Sequence, residues 1–418
     1  MLLGFTAANV LSLRDEQTLS LVSEGLDDTP ARPTGIVADR RPVQALPVVG
    51  IYGANASGKS NVLGALRLMR QAVLESHAQW TQTDGVPRTP FALDPKASKA
   101  PSSFEIDLVI DKTRWVYGFE LSDTQVEAEW LHVYPRGRRQ VWFDRDAAAA
   151  ESFRFPGDHL KGERATLAKL TRPNALFLST AAAYNHPQLS VLYRWFHGNL
   201  WLVTPESDRN EREWFTSRRL LTDDRDRVLE LLRVADLGID DIEVVKQDPD
   251  PPRVRLIRSS GRRQTAFDFD DESYGTRNWF ALLGPLLLTL KEGAVLLVDE
   301  LDASLHTALV AEFIRLFQDP KANPNCAQLI FTSHDTTPLG TATGNRPLGR
   351  EQVWLTEKRT DGATELYPLT DAHPRKDENL ERGYRAGRYG GVPQVGPGQI
   401  VRTVRYLQEV EARAGAGG

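Results

Sequence analysis

The residues with the clearest chemical potential are the octet GANASGKS at 53–60. It satisfies GxxxxGK[ST], a pattern whose glycines let backbone N–H groups close around phosphate oxygens while a lysine reaches the terminal phosphates and a hydroxyl ligates Mg²⁺. Gly53, Asn55, Ser57, Gly58, Lys59, Ser60 and Asn61 are the expected phosphate-binding set, with Ser60 also on the metal. A second group, Asp299 and Glu300, closes the apolar run AVLLVDE. Adjacent carboxylates at the end of a buried strand can divide the work of hydrolysis: Asp299 holds Mg²⁺ through water, and Glu300 orients and partly deprotonates an attacking water. The third is His334, just past the apolar run Gln328 to Thr332, where an imidazole can hydrogen-bond a terminal phosphate or that water. Taken singly, an acidic pair serves equally well as a solvated strand end, and a lone histidine is more often structural. Three such groups in order at strand ends favour phosphate chemistry, with Lys59, Glu300 and His334 as the catalytic candidates.

The elements that must position these groups are visible in the apolar periodicity. Pro47 to Tyr52 is a β-rich run ending at a glycine, and Val62, Leu63, Leu66, Met69, Val73 and Leu74 follow at helical spacing, giving strand, glycine loop, helix. Alternation in FEIDLVI, WVYGFEL and VEAEWL predicts several short strands between Ser103 and Leu131. From about Tyr184 to Asp241 the pattern is helical, with Arg227 to Val234 amphipathic and no sustained heptad. A buried helix over Thr276 to Leu290 leads into a strand at Ala294 to Val298. A helix over Thr307 to Phe317 leads into the strand Gln328 to Thr332, an alternation that argues for a parallel sheet. A final helix is expected from about Gln399 to Ala412, and no internal repeat is present. The chain divides into an N-terminal lobe with the phosphate loop and a β-rich subdomain (1–183), a mainly helical arm or insertion (184–265), a C-terminal lobe with the acidic pair and histidine (266–372), and an Arg/Gly-rich tail with the terminal helix (373–418).

The 418 residues are 41% hydrophobic and 26% charged, the composition of a packed globular chain. A formal charge of −5 gives no general attraction to nucleic acid or anionic membrane, so any DNA or RNA contact must be local. The arginine clusters at 136, 138 and 139, at 253, 255, 258, 262 and 263, and at 382, 385 and 388 could track phosphates or be faces balanced by acids such as Asp248, Asp250 and Asp268; the middle cluster is the strongest DNA-contact candidate. The single Cys326 excludes an intrachain disulfide and fits a reducing cytosol. The N-terminus lacks a basic region followed by an apolar core and does not read as a signal peptide. The longest apolar stretch, Trp279 to Leu290, is too short to span a bilayer and contains Gly284 and Pro285, so no membrane association is expected and the compartment expected is the cytoplasm.

GANASGKS, then ESYGTR at 272–277, then LLVDELDASLH, then FTSHD, resembles the ABC-type ATPases related to SMC, Rad50 and OLD proteins, most closely the bacterial stand-alone AAA15 or AAA21 group. Phe5, Asn9, Ser12, the segment FALDP at 91–95, and Tyr384, Gly387 and RYGGVP at 388–393 extend the similarity over most of the chain. The resemblance implies an α/β, ABC-type P-loop NTPase head with a parallel-sheet core, a β-rich N-terminal lobe and a helical insertion. It also implies ATP and Mg²⁺ as cofactors, Lys59 and Ser60 on phosphate and metal, Asp299 supporting the metal, Glu300 as catalytic carboxylate and His334 as switch histidine. Ser273 and Gly275 match the signature motif, which in this family contacts ATP on the opposing subunit, so a head-to-head homodimer or higher homo-oligomer is implied. Asp302 to Leu305 corresponds to the D-loop, and Gln82 is one candidate for the Q-loop glutamine.

The resemblance further implies a sensor or regulator of a separate effector, such as a nuclease, in bacterial anti-phage defence. The roughly 85 residues after His334 are too few for the Toprim domain of OLD proteins. Two rival readings remain: a DNA-binding SMC-like repair ATPase, and a nucleotide-gated scaffold with little turnover, against which Glu300 argues. The SYGT signature weakens any inference about transport.

Overall fold

The computed structural model describes all residues except 39, 82–84, 205–207, 223, 236–237, 246–251, 304, 343, 393–397 and 416–418. Its centre is a six-stranded sheet in the order Leu200–Val203, Val295–Val298, Gln328–Thr332, Val48–Gly53, Val353–Lys358, Thr364–Pro368. The first five strands are parallel and the last is antiparallel. Val48–Gly53 lies inside this sheet and is buried along its whole length, the continuous apolar run expected of a strand covered on both faces.

Strand alternation divides the core in two. Val49, Ile51, Val295, Leu297 and Ile330 point into a cluster with Leu63, Leu66, Met69 and Val73 of the helix Lys59–Glu75. That cluster continues into a seven-stranded antiparallel sheet, running from Phe153–Arg154 through the meander Gln140–Asp146, Val126–Tyr134, Thr113–Leu121 and Ser102–Ile110 to Leu2–Ala8 and Gln17–Ser20. This is the β-rich lobe the alternation predicted, closed by the N-terminal strand. Val48, Tyr52, Leu296, Val298, Leu329 and Phe331 point the other way, against the helices Tyr274–Glu292 and Thr307–Gln318. Each fully buried side chain of this size contributes about 1.5–3 kcal/mol, so both layers are fastened to the sheet that carries the phosphate loop.

The segment 184–265 holds the helices Leu189–Gly198, Arg209–Arg219 and Arg225–Val234. It also holds the edge strand of the parallel sheet, Leu200–Val203, and the first two strands and part of the third (Asp241–Val245, Arg253–Ser260, Arg263–Asp268) of an antiparallel sheet that leads directly to Ser273. The strand of four residues escapes a periodicity reading because it is shorter than either repeat can establish. Pro285 lies inside Tyr274–Glu292 and removes the N–H that would reach Ala281. Thr216 of the neighbouring helix repairs the gap: its hydroxyl donates to the Ala281 carbonyl (3.5 Å) and accepts from Gly284 N–H (3.1 Å). Among the described residues no helix is long and apolar enough to cross a membrane.

Candidate functional site

The carboxyl ends of three neighbouring parallel strands, Val48–Gly53, Gln328–Thr332 and Val295–Val298, deliver the phosphate loop, His334 and the acidic pair to one edge, the edge at which open α/β sheets bind ligands. The loop's two flanking glycines are dictated by contact. A Cβ on Gly53 would collide with the Thr356 and Ser57 hydroxyls, and one on Gly58, which sits at φ +107°, would collide with Thr364. Within this turn the buried Lys59 ammonium donates to the carbonyls of Gly53 (2.9 Å) and Ala54 (3.1 Å). Burial lowers the Lys59 pKa, while Glu300, Asp299 and Asp302 pull it back up.

A chain of hydroxyls braces the loop from the far strands. Asn61 Nδ2 donates to Ser12 Oγ (2.6 Å), Ser12 pairs with Thr364 Oγ1 (2.7 Å), and Thr364 donates to the Ser57 carbonyl (2.8 Å). Ser57 Oγ pairs with Thr356 Oγ1 (2.6 Å), which donates to the Tyr52 carbonyl (3.3 Å). Ser57 and Asn61, expected on phosphate, therefore have their side chains engaged in holding the loop's shape. Thr356 and Thr364 were not legible from the sequence, because their partners lie about 300 residues away.

Ser60 Oγ donates to Asp299 Oδ1 (2.9 Å), so the two expected metal ligands meet. Both are hard oxygen donors, and Mg²⁺ is held by one or two such side chains with the rest of its shell supplied by phosphate and water. Among the described residues no cluster of three or more His, Cys, Asp or Glu offers a competing metal site. Asp299 Oδ1 also accepts from Thr332 Oγ1 (2.6 Å), and the same hydroxyl accepts from Glu300 N–H (2.7 Å). Thr332, fully buried, thus ties both acids to the adjacent strand. Sequence reading missed it, although a hydroxyl at the end of an otherwise apolar buried strand was the available signal.

Glu300 adopts φ +51°, a left-handed conformation costly for a non-glycine residue. Its N–H bond to Thr332 and the Leu301 N–H bond to the Thr332 carbonyl (2.9 Å) hold it there. The carboxylate comes to 4.0 Å from His334 Nε2, and both side chains are nearly half exposed. The His334 N–H donates to Asp302 (3.2 Å), fixing the loop that carries the imidazole.

Ser273 caps the helix Tyr274–Glu292, accepting from Thr276 N–H (3.2 Å), and Gly275 lies in its first turn. Neither hydrogen-bonds the phosphate loop. Arg277 forms a forked pair with Glu213 (3.0 and 2.7 Å), and Asn278 donates to the Ala303 carbonyl (3.2 Å), joining this helix to the segment after the acidic pair. Tyr274 is exposed, with the Arg209 guanidinium 4.9 Å from its ring centre. Gln82, and Ser304 within 302–305, lie outside the described residues.

A parallel sheet with a glycine loop cradling a lysine, a hydroxyl against an aspartate, and a glutamate facing a histidine defines a P-loop ATPase core. Residues 48–338 match the AAA_21 family, described as "AAA domain, putative AbiEii toxin, Type IV TA system", and the chain belongs to that family. A solved structure of the Smc head domain with an extended coiled coil bound to the C-terminal domain of ScpA, from Pyrococcus furiosus, is similar at 14% identity and a TM-score of 0.37, over 82% of this chain and 96% of that one. No curated protein matches.

Proposed function

We propose that the chain hydrolyses ATP with Mg²⁺ as a nucleotide-gated homodimer, and that the cycle regulates a separate effector in anti-phage defence. The observation that carries the hydrolytic reading is the single hydroxyl of Thr332, which sets Asp299 against Ser60 and turns Glu300 toward His334. Ser60 and Asp299 would hold Mg²⁺, which would supply positive charge against the phosphate oxygens. Lys59 would exchange the Gly53 and Ala54 carbonyls for phosphate oxygens. Glu300 orients and draws a proton from the attacking water, and His334 lies within reach of the same water.

The gated-dimer reading is supported by the place of Ser273 and Gly275. They share no hydrogen bond with the loop of their own chain yet stand at an exposed helix start, where a hydroxyl and backbone N–H groups suit a phosphate offered by a second copy. A defence role is supported by the family's description, which names a toxin of a type IV toxin–antitoxin system. Steady-state ATP turnover of wild type and Glu300→Gln, with solution mass in ATP and Mg²⁺, tests the chemistry and the gating. The variant should bind ATP, lose roughly 10²-fold or more in turnover, and accumulate as a dimer. Equal turnover by the two proteins would remove Glu300 from the mechanism, and a monomer at saturating ATP would remove the gate.

A further inference from the structure

The three arginine clusters fare differently in the fold. Arg253 and Arg255 both reach Asp268 (2.7 and 3.0 Å), and Arg258 pairs with Glu272 (2.7 Å), so most of the cluster before Ser273 is neutralised; Arg262 and Arg263 stand exposed at a hairpin tip. Arg385 pairs with Glu381 (3.4 Å) and Arg388 with Glu378 (2.5 Å). Arg136 instead borders a cavity of about 600 Å³, lined also by Arg40, Lys112, Arg114 and Tyr134 and, among the described residues, by no carboxylate. Only Arg114 is committed, to Asp107 (3.0 and 2.7 Å). Arg40, Lys112 and Arg136 are exposed and, among the described residues, have no hydrogen bond or ion pair. Asp111, beside Lys112, is exposed and likewise unpaired among the described residues, and Asp39 lies outside them.

Backbone conformation sharpens the pattern. Asp111 and Lys112 (φ +48° and +58°) form the two-residue turn between Ser102–Ile110 and Thr113–Leu121. Such a turn takes glycine most readily at its second position. Arg40 (φ +66°) holds the equivalent position between Arg32–Ala38 and Arg41–Ala45, and Arg136 sits at φ +55°. Three long cations thus occupy left-handed positions where glycine or asparagine is the cheaper residue, and they converge on one concavity from three separate loops. Strain retained at converging side chains points to use by a ligand.

We infer that this cavity binds the phosphodiester backbone of double-stranded nucleic acid without reading its bases. Unpaired cations spread over several loops suit a polyanion. The cavity's one aromatic ring, Tyr134, already has the Arg114 guanidinium 5.0 Å from its centre, so the stacking platform that single strands require is taken. Exposed Arg41, Arg138 and Arg139 extend the positive surface beyond the cavity. The site is separate from the ATPase site and does not depend on the reading given to it.

The test is anisotropy of a labelled duplex of about 30 bp, without nucleotide, between about 50 and 200 mM salt. Three phosphate contacts give a slope near −2.7 in log K against log salt, roughly 40-fold weaker binding over that range. The triple variant Arg40→Gln, Lys112→Gln, Arg136→Gln should bind much more weakly and flatten the slope by about 2.7, with ATP turnover at the wild-type level. Arg253→Gln with Arg255→Gln should bind as wild type. Arg40→Gly with Lys112→Gly, which installs the residue the turns prefer, should melt no lower than wild type and still bind the duplex more weakly, so weak binding is not misfolding. A wild-type slope in the triple variant, tighter binding of single strand than duplex, or binding of phosphatidylserine vesicles in place of duplex would each overturn the assignment.

Discussion

Replacing Thr332 by valine removes one oxygen and keeps the shape of a fully buried side chain. Two bonds disappear: the 2.6 Å bond to Asp299, charge-assisted because its acceptor is a carboxylate, and the 2.7 Å bond that fixes Glu300 N–H. A bond to a charged group contributes about 1.5–3 kcal/mol, and a backbone donor left without its acceptor costs about 1–3 kcal/mol. The expected loss of stability is therefore about 3 kcal/mol, read by denaturant unfolding. The catalytic loss is smaller, because Asp299 keeps Ser60 and Glu300 remains tethered through its neighbours. If about 2 kcal/mol of carboxylate positioning is missing at the transition state, turnover falls roughly 30-fold. ATP affinity should hold, since Thr332 makes no hydrogen bond to the phosphate loop, so the defect should appear in kcat and leave KM in place. Thr332→Ser, which keeps the hydroxyl, should recover most of the rate. Wild-type turnover by Thr332→Val, or a serine variant as impaired as the valine one, would refute the claim that this oxygen positions the acids.

The trans arrangement predicts complementation: an equal mixture of Lys59→Ala and Ser273→Arg chains, each inactive alone, should recover about a quarter of wild-type turnover, because half the dimers carry one undamaged composite site; a mixture as inactive as its parts counts against it. Glu129, fully buried, accepts from Tyr117 hydroxyl (3.0 Å) and from Phe177 and Leu178 N–H (2.6 and 3.0 Å), with Arg145 at 3.8 Å. Glu129→Ala should destabilise the N-terminal lobe by about 3–5 kcal/mol in denaturant titration, and a loss below about 1 kcal/mol would mean the network is dispensable. Burial holds the Lys59 ammonium below the ordinary lysine pKa. Because phosphate needs the charged form, ATP affinity measured by calorimetry should decline as pH rises through that lowered value. Between it and the unfolded lysine pKa the unliganded fold binds fewer protons than the unfolded chain, so this group's contribution to stability rises with pH while affinity falls. Affinity that stays level up to about pH 10 would show that Lys59 does not carry the binding.

Local pattern determined much of this protein. The strand, glycine loop and helix from Val48 to Glu75, the strand Gln328–Thr332 and the long helix before the acidic pair are legible because each is a sustained run of one periodicity, punctuated by glycine or by charge. Lys59 and Ser60 are legible from the spacing of the glycine octet, and Asp299, Glu300 and His334 because they follow directly on apolar strand runs. Tertiary structure decided what no run contains. The edge strand Leu200–Val203 exists only because Val295–Val298 pairs with it, so a helical reading of 184–241 could not isolate it. Thr332 becomes a positioning residue only when its strand lies beside the one ending at Asp299. Thr356 and Thr364 brace the phosphate loop only because the sheet order places distant strands against it. The arginine clusters look alike in sequence, yet three-dimensional neighbours pair Arg253, Arg255 and Arg258 with acids and leave Arg136, beside Arg40 and Lys112, without a partner among the described residues. Periodicity encodes which face a side chain takes; partnership depends on which strands and loops the fold brings within about 3–4 Å.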